Sequence, residues 1–479
     1  MSRPFPALRA TLPAALAGIL FASCAVNPAT GHRQFMIISE SREIAMGRQY
    51  DPEVVASMGL YGGDEWQSYI QALGSRMAAL TERPDLPWTF RVVDDPIVNA
   101  FAIPGGFVYV TRGILAHFTS EAQLASVLGH EIGHVTARHS AAQMSRQSLL
   151  QGVVGAGSVF APNLQSAWAL AGTGVGILSL KFSRDDESQA DQLGLRYIYR
   201  AGFDPRPMPE VYTMLGRISA ASGSRTPEWL STHPDPGNRE QRIRAAIAQL
   251  PDGRFDGRVV NAAPYLHRLE GMVFGQDPRN GFFEGMTFKH PDLAFTLTFP
   301  DGWRVQNQSQ AVVGINEGGS VTLQVTVADE TTAGAAARRF FAQDGIDGSP
   351  QNDAINGLVA VSGSFTASTS NGTLLGTVSF VVLGGRVYQL VGFGTPSGWR
   401  GGGGEVQVAI RTFARLTDPA ALAIKPRTLH IVETDRSMTI AGFRARFSPD
   451  ASVDELARIN QVDATTPIPA GTLLKAIRR

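Results

Sequence analysis

Gly129 to Ser140 read GHEIGHVTARHS, and the five residues His130-Glu131-Ile132-Gly133-His134 at their start decide the architecture of the chain around them. One helical turn separates the two histidines, so both imidazoles leave the same helix face with their Cβ atoms about 5–6 Å apart, a spacing that lets both grip one tetrahedral ion. Glu131 sits one residue further round, where its carboxylate can take a proton from an attacking water instead of ligating. The pattern predicts a catalytic zinc site on a helix; the bland reading is a pair of core histidines. Thr119-Ser120-Glu121-Ala122-Gln123 reads as an N-terminal cap, with Gln123 three residues after Ser120. Leu124, Val127, Leu128, Ile132 and Val135 supply an apolar stripe, so the helix is expected to be partly buried.

A catalytic zinc takes three protein ligands and keeps one exchangeable position, so a further donor must come from elsewhere. Ser183 to Gly194 (SRDDESQADQLG) carries four carboxylates, of which Glu187 and Asp191 share one face of a helix ending at Gly202, ahead of Pro205. Glu187 is the candidate ligand, and Asp191 the candidate to orient an imidazole N–H. A solvated acidic helix start is the alternative, since Asp and Glu favour first turns.

The chain resembles the M48 family of zinc metallopeptidases. The resemblance is carried by Asn99 to Gly106 (NAFAIPGG), Gly129 to Ser140, Ser183 to Gly194 and Ser231-Thr232-His233-Pro234, in family order across about residues 35–250. It implies that His130, His134 and Glu187 ligate one Zn²⁺, that Glu131 is the catalytic base and that Asp191 supports a ligand from behind. It also implies a bacterial envelope setting, similar to the lipoprotein branch of the family, with misfolded or misassembled envelope proteins as substrates.

Residues around the motif offer further candidates. Phe107, Tyr109 and Thr111 alternate with Val108 and Val110, and Gly105-Gly106 would turn the chain into this strand. A strand edge here, with Asn99, Ala100 and Phe101 as candidates, could take an extended peptide as an added strand; an ordinary core strand is the alternative. His233 lies in a Pro-flanked turn and could stabilise an oxyanion, occupy the fourth zinc position and hold the enzyme latent, or make a structural hydrogen bond. His139, read as a continuation of the motif helix, is too far along the axis to reach the same ion and is expected to pack structurally. Arg138 and Arg239 read as bridges to carboxylates.

Composition bounds the rest. The 479 residues carry 42 Lys+Arg against 42 Asp+Glu, without a basic block that would invite nucleic acid. Arg3 and Arg9 precede an apolar run from Thr11 to Ala22, so residues 1–23 read as a signal peptide. Cys24, the single cysteine, follows directly and resembles a bacterial lipoprotein lipidation site, although Phe21 replaces the usual Leu. A lipid anchor implies a periplasm-facing protein, at the outer membrane rather than the inner. The uncharged stretch 147–180 is expected to form two short helices over the catalytic core, or a surface dipping into headgroups.

The expected organisation is multidomain: a lipid-anchored tether (24–40), a mainly α-helical zincin-type peptidase domain with a small β-sheet (41–251), a glycine-containing linker (252–285), an α+β accessory domain (286–418) and a small α/β module (426–479). The last loosely resembles a LysM-type module, which would imply peptidoglycan contact; protein docking is the alternative. The function implied is zinc-dependent endoproteolysis of protein or peptide substrates, the competing readings being an envelope chaperone or assembly adaptor with a latent metal site and, on the C-terminal likeness alone, a peptidoglycan hydrolase.

Overall fold

The computed structural model describes residues 24–154, 181–221, 229, 232–233, 238–251, 255–369 and 372–479. These divide into two compact units, one drawn from residues up to 55, 59–275 and 428–478, the other from 56–58, 276–427 and 479. The expectation for residues 155–180 lies outside the described residues. No helix among the described residues is long and apolar enough to cross a membrane.

The first unit opens with a short antiparallel pair, β1 (Cys24–Val26) and β2 (Arg33–Phe35), then α1 (Glu40–Met58) and α2 (Gly63–Ala78). A three-stranded sheet follows, made of β3 (Thr89–Val93), β4 (Ala100–Ile103) and β5 (Phe107–Thr111). β5 runs down the middle, parallel to β3 and antiparallel to β4. Its five residues are all buried, so the alternation read from the sequence does not become an exposed face: a central strand is covered on both sides. Gly105 and Gly106 make the preceding turn at φ 90° and 99°, a region that residues with a Cβ avoid.

The short α3 (Arg112–Leu115) leads into the motif helix, α4 (Glu121–Thr136). Ser120 caps α4 by accepting from the Gln123 N–H, while the Gln123 side chain accepts from the Thr119 N–H. Every residue from Ala122 to Thr136 is buried, more than an apolar stripe requires, because α4 packs against β4, α6 (Arg184–Arg200) and α7 (Met208–Ala221). The helix stops at Thr136, and Arg138 adopts φ 60°. His139 therefore does not continue the motif helix; it begins α5 (His139–Val154), and the chain's reversal carries it back toward the motif.

α6 begins with a reciprocal capping box between Ser183 and Asp186. It approaches α4 closely because the contact is built from glycine: a Cβ on Gly133 would stand 3.0 Å from the Ala190 carbonyl oxygen, and one on Gly194 2.9 Å from the His130 nitrogen. α8 (Arg239–Ala248) and α9 (Ala262–Arg268) complete this side. α9 falls where the sequence reads as linker; its Tyr265 and Leu266, with Leu269 and Met272 just beyond, are buried in the same core as Leu128 and Ile132.

Residues 428–478, set apart in the sequence reading, belong to this unit. Thr428–Glu433 pairs antiparallel with Leu473–Arg478, with helices Ile440–Phe447 and Val453–Ile459 between them. Leu429, Phe443, Leu456, Leu474 and Ile477 join the peptidase core. Lys475 is fully buried and donates to the carbonyls of Ala116 and Phe118, immediately before the cap of α4.

In the second unit, β6 (Phe282–Glu284), β7 (Thr287–His290) and β8 (Phe295–Thr298) form an antiparallel sheet with Ala414–Arg415. A larger antiparallel sheet contains, in spatial order, β9 (Arg304–Asn307), β10 (Ala311–Ile315), β11 (Val321–Ala328), β16 (Arg386–Gly394), β15 (Gly372–Leu383) and β14 (Leu358–Thr369). β12 (Ile346–Gly348) and β13 (Gln351–Ile355) both pair along the outer side of β14. α10 (Ala333–Phe341) packs with Val361, Phe365, Val378 and Phe380, and α11 (Pro396–Arg411) packs with Val321, Leu323 and Leu390 on the opposite face.

Candidate active site

α4 and α6 bring their functional side chains to one buried point. His130 Nε2 lies 3.0 Å from His134 Nε2 and 3.5 Å from Glu187 Oε2, and Glu187 Oε1 is 3.5 Å from His134 Nε2. His233 joins them, its main-chain N–H donating to the Trp229 carbonyl: its Nδ1 is 2.9 Å from Glu187 Oε1 and 3.3 Å from His130 Nε2. One donor atom from each of His130, His134, Glu187 and His233 falls within 4.8 Å of all the others, and all four residues are buried.

Each ring is held from behind. Asp191, one turn beyond Glu187 on α6, places Oδ1 3.0 Å from His130 Nδ1. Asp191 is itself gripped by Arg239 at 2.9 and 2.6 Å and accepts from the Tyr212 hydroxyl at 2.7 Å. His139 Nδ1 sits 2.9 Å from His134 Nδ1, and its Nε2 faces Gln189 Oε1 at 2.9 Å. Trp229 stacks on His233, and Phe182 on His134 at 4.0 Å between centroids.

The electrostatics follow from this crowding. Burial opposes charge on His130, but its bond to Asp191 and the nearby Glu187 outweigh it and hold the ring up to about 9. His134, desolvated and next to that charged ring, is pushed well below the usual histidine range. Burial alone would raise Glu187 and Asp191. The surrounding imidazoles overrule it for Glu187, whose carboxyl is held far below its usual value, and Arg239 with His130 holds Asp191 down to about 2.

Glu131 differs from the other carboxylates. It is fully buried, and neither carboxylate oxygen has a hydrogen-bond partner among the described residues. The nearest cationic candidate, His233 Nε2, is 3.5 Å from Oε1. A buried carboxylate without partners is costly, so its place is explained by a group that the polypeptide does not itself provide. Two imidazoles and a carboxylate beside it are a donor set that suits zinc, so the residues present fit the ion.

Of the remaining candidates, Asn99 precedes β4, and Ala100 and Phe101 lie in it; β4 is the outer strand of its sheet, and α4 packs against it. The side chains of Ala100 and Phe101 are buried, so main-chain groups are what this strand can present. Asn99 is also buried, with its Oδ1 unpartnered among the described residues. Arg138 pairs with Glu43, away from the four-donor cluster. Cys24 opens β1. Tyr212, Trp229, Phe182 and Gln189 escaped the sequence reading, because no spacing links such residue types to a metal motif.

This is the geometry of an HExxH zinc metallopeptidase centre. Residues 65–247 match the model of Peptidase family M48. Over 223 residues the chain is 36% identical to the beta-barrel assembly-enhancing protease of Yersinia pestis, covering 44% of this chain and 45% of that protein. It is 36% identical over 203 residues to the mitochondrial metalloendopeptidase OMA1 of Arabidopsis thaliana, covering 42% and 40%. Against the Schizosaccharomyces pombe OMA1 it is 33% identical over 234 residues, covering 47% and 66%. The matched stretch spans less than half the length of the first two relatives.

Proposed function

We propose that this chain is a zinc-dependent endopeptidase of the bacterial cell envelope, acting on misfolded or misassembled envelope proteins. The observation that carries the reading is the orphaned Glu131 carboxylate beside the buried His130, His134 and Glu187 cluster. The bacterial relative named a beta-barrel assembly-enhancing protease supports the envelope setting.

His130, His134 and Glu187 would hold the zinc, which when bound supplies Lewis acidity toward the scissile carbonyl and the attacking water. Glu131 then receives the proton of that water. With no hydrogen-bond partner among the described residues, both of its oxygens are available to take that proton and later to pass it to the leaving amine. Asp191, fixed by Arg239 and Tyr212, keeps the His130 ring turned so that Nε2 faces the cluster. Ala100 and Phe101 on β4 offer a main-chain edge for an extended substrate.

His233 supports a latent resting state. Its Nδ1 lies among the donor atoms themselves, where it competes for the position that substrate would need. The same observation favours the second reading, an envelope chaperone or assembly adaptor whose site stays closed. Cys24 as a lipidated residue, anchorage at the outer membrane and peptidoglycan contact through residues 426–479 complete the proposal.

The test compares zinc content and casein cleavage of the purified chain with a Glu131→Gln variant. Cleavage by the wild type and none by a variant with equal zinc supports the endopeptidase. Equal cleavage by both sinks the mechanism, and zinc without cleavage in either selects the adaptor.

A further inference from the structure

The second unit contains a cavity of about 550 Å³ whose lining includes Ser362, Thr377, Ser379, Asp353, Gln407 and Arg411. Its floor lies where one face of the sheet changes from apolar to hydroxyl-bearing pairs. On β14 and β15, Ala360 opposes Val381, and both join the core under α11. Two and four residues further along β14, in the same pleat parity, Ser362 opposes Ser379 and Ser364 opposes Thr377. Four hydroxyls thus follow the apolar pair where the cavity lies. Ser379 and Thr377 are only 3% and 9% exposed, so the β15 side of this floor is not an ordinary solvated surface, while Ser362 is half-buried and Ser364 exposed.

The direction of the hydrogen bonds can be worked out. Ser362 donates to Asp353 Oδ2 at 2.6 Å, which uses its only proton. The 2.8 Å contact between Ser362 and Ser379 must then run from Ser379 to Ser362, and Ser379 keeps acceptor capacity. Thr377 donates to the Gly363 carbonyl at 3.3 Å and likewise retains its lone pairs. Arg411 pairs with Asp353 through both terminal nitrogens, at 2.9 Å each, so the acidic end of the chain of bonds is already neutralised. The floor therefore presents hydrogen-bond acceptors without net charge, and the Gln407 amide at the rim can both donate and accept.

We propose that this cavity is a binding site for a neutral, polyhydroxylated ligand of saccharide type. Such a molecule supplies several O–H donors to Ser379 and Thr377 and carries no charge for the Asp353–Arg411 pair to repel or attract. A cation finds no unpaired carboxylate there, and an anion finds no free guanidinium. The volume suits one or two sugar rings.

Saturation-transfer difference NMR on the full chain would use N,N′-diacetylchitobiose and maltose as neutral probes and spermidine as a charged one. The expected result is transfer from a neutral disaccharide with Kd on the order of 1 mM, and none from spermidine. Thr377→Val and Ser379→Ala, each removing a floor hydroxyl, should weaken it roughly tenfold in chains that remain folded. If Ser379→Ala fails to fold, the nearly isosteric Thr377→Val carries the comparison alone. No transfer from either disaccharide, a preference for spermidine, or sugar binding that survives both substitutions would overturn the assignment; the last would move the sugar to another part of the chain, residues 426–479 included.

Discussion

Glu131 is a residue whose position makes sense only through chemistry: a fully buried carboxylate with no hydrogen-bond partner among the described residues is an energetic liability unless the site employs it. Glu131→Gln, which preserves shape and removes the base, should lower kcat by about 10³-fold while zinc content by atomic absorption stays equal. His233→Ala tests the latent state. Because His233 sits among the donors, its loss should raise basal casein cleavage, and a fall instead would assign it to transition-state stabilisation. Asp191→Ala should weaken zinc affinity about 10- to 100-fold in a competitive chelator titration, since the His130 ring loses the group that orients it. The meeting of these side chains was largely legible in the sequence, because one helical turn between His130 and His134, and another between Glu187 and Asp191, already places each pair on one face. His139 was misread as an extension of the motif helix because Arg138, with its φ of 60°, carries no glycine signal to mark the break.

At the scale of elements, the site depends on how closely α6 approaches α4. Gly133 and Gly194 set that distance, and neither residue touches the four donors through a side chain. Gly194→Ala brings a Cβ to 2.9 Å from the His130 backbone nitrogen, so the helices must part slightly. The expected outcome is a stability loss of about 1–3 kcal/mol with weakened zinc binding, read by denaturant melts and chelator titration. HEIGH displays its glycine openly, yet its role in packing cannot be read without knowing that Ala190 lies opposite. The burial of β5 on both faces was hidden for the same reason. Alternation within a strand reports its pleat, but its place in the middle of the sheet is set by β3 and β4.

For the molecule as a whole, the C-terminal residues are part of the peptidase unit. Lys475 reaches the carbonyls of Ala116 and Phe118, and Gln461 donates to the His117 carbonyl, so the turn before α4 is held from a segment over 300 residues away. Lys475→Ala would strand those carbonyls and leave a cavity, and should cost about 2–4 kcal/mol in a denaturant melt. His117 makes this turn sensitive to acid: burial pushes its ring down from 6.5 to about 4, with Lys475 and Arg458 adding repulsion. Above pH 6.5 the ring is neutral in both folded and unfolded chains. Between 6.5 and 4 the unfolded chain takes up a proton that the folded one refuses, so stability falls as pH falls through that window. Melts in chelator from pH 7 to pH 4.5 should show a shallower decline for His117→Gln than for the wild type. By itself the sequence determined the helix-borne motif, its partner helix and the strand-rich character of residues 286–418, since these follow from local periodicity and spacing. Only the tertiary structure decided that His233 joins the cluster and His139 backs the His134 ring, that residues 262–272 and 428–478 complete the peptidase core, and that four hydroxyls share one cavity floor. Each of these is a meeting of side chains distant along the chain, and local patterning carries no record of which distant surfaces will bury one another.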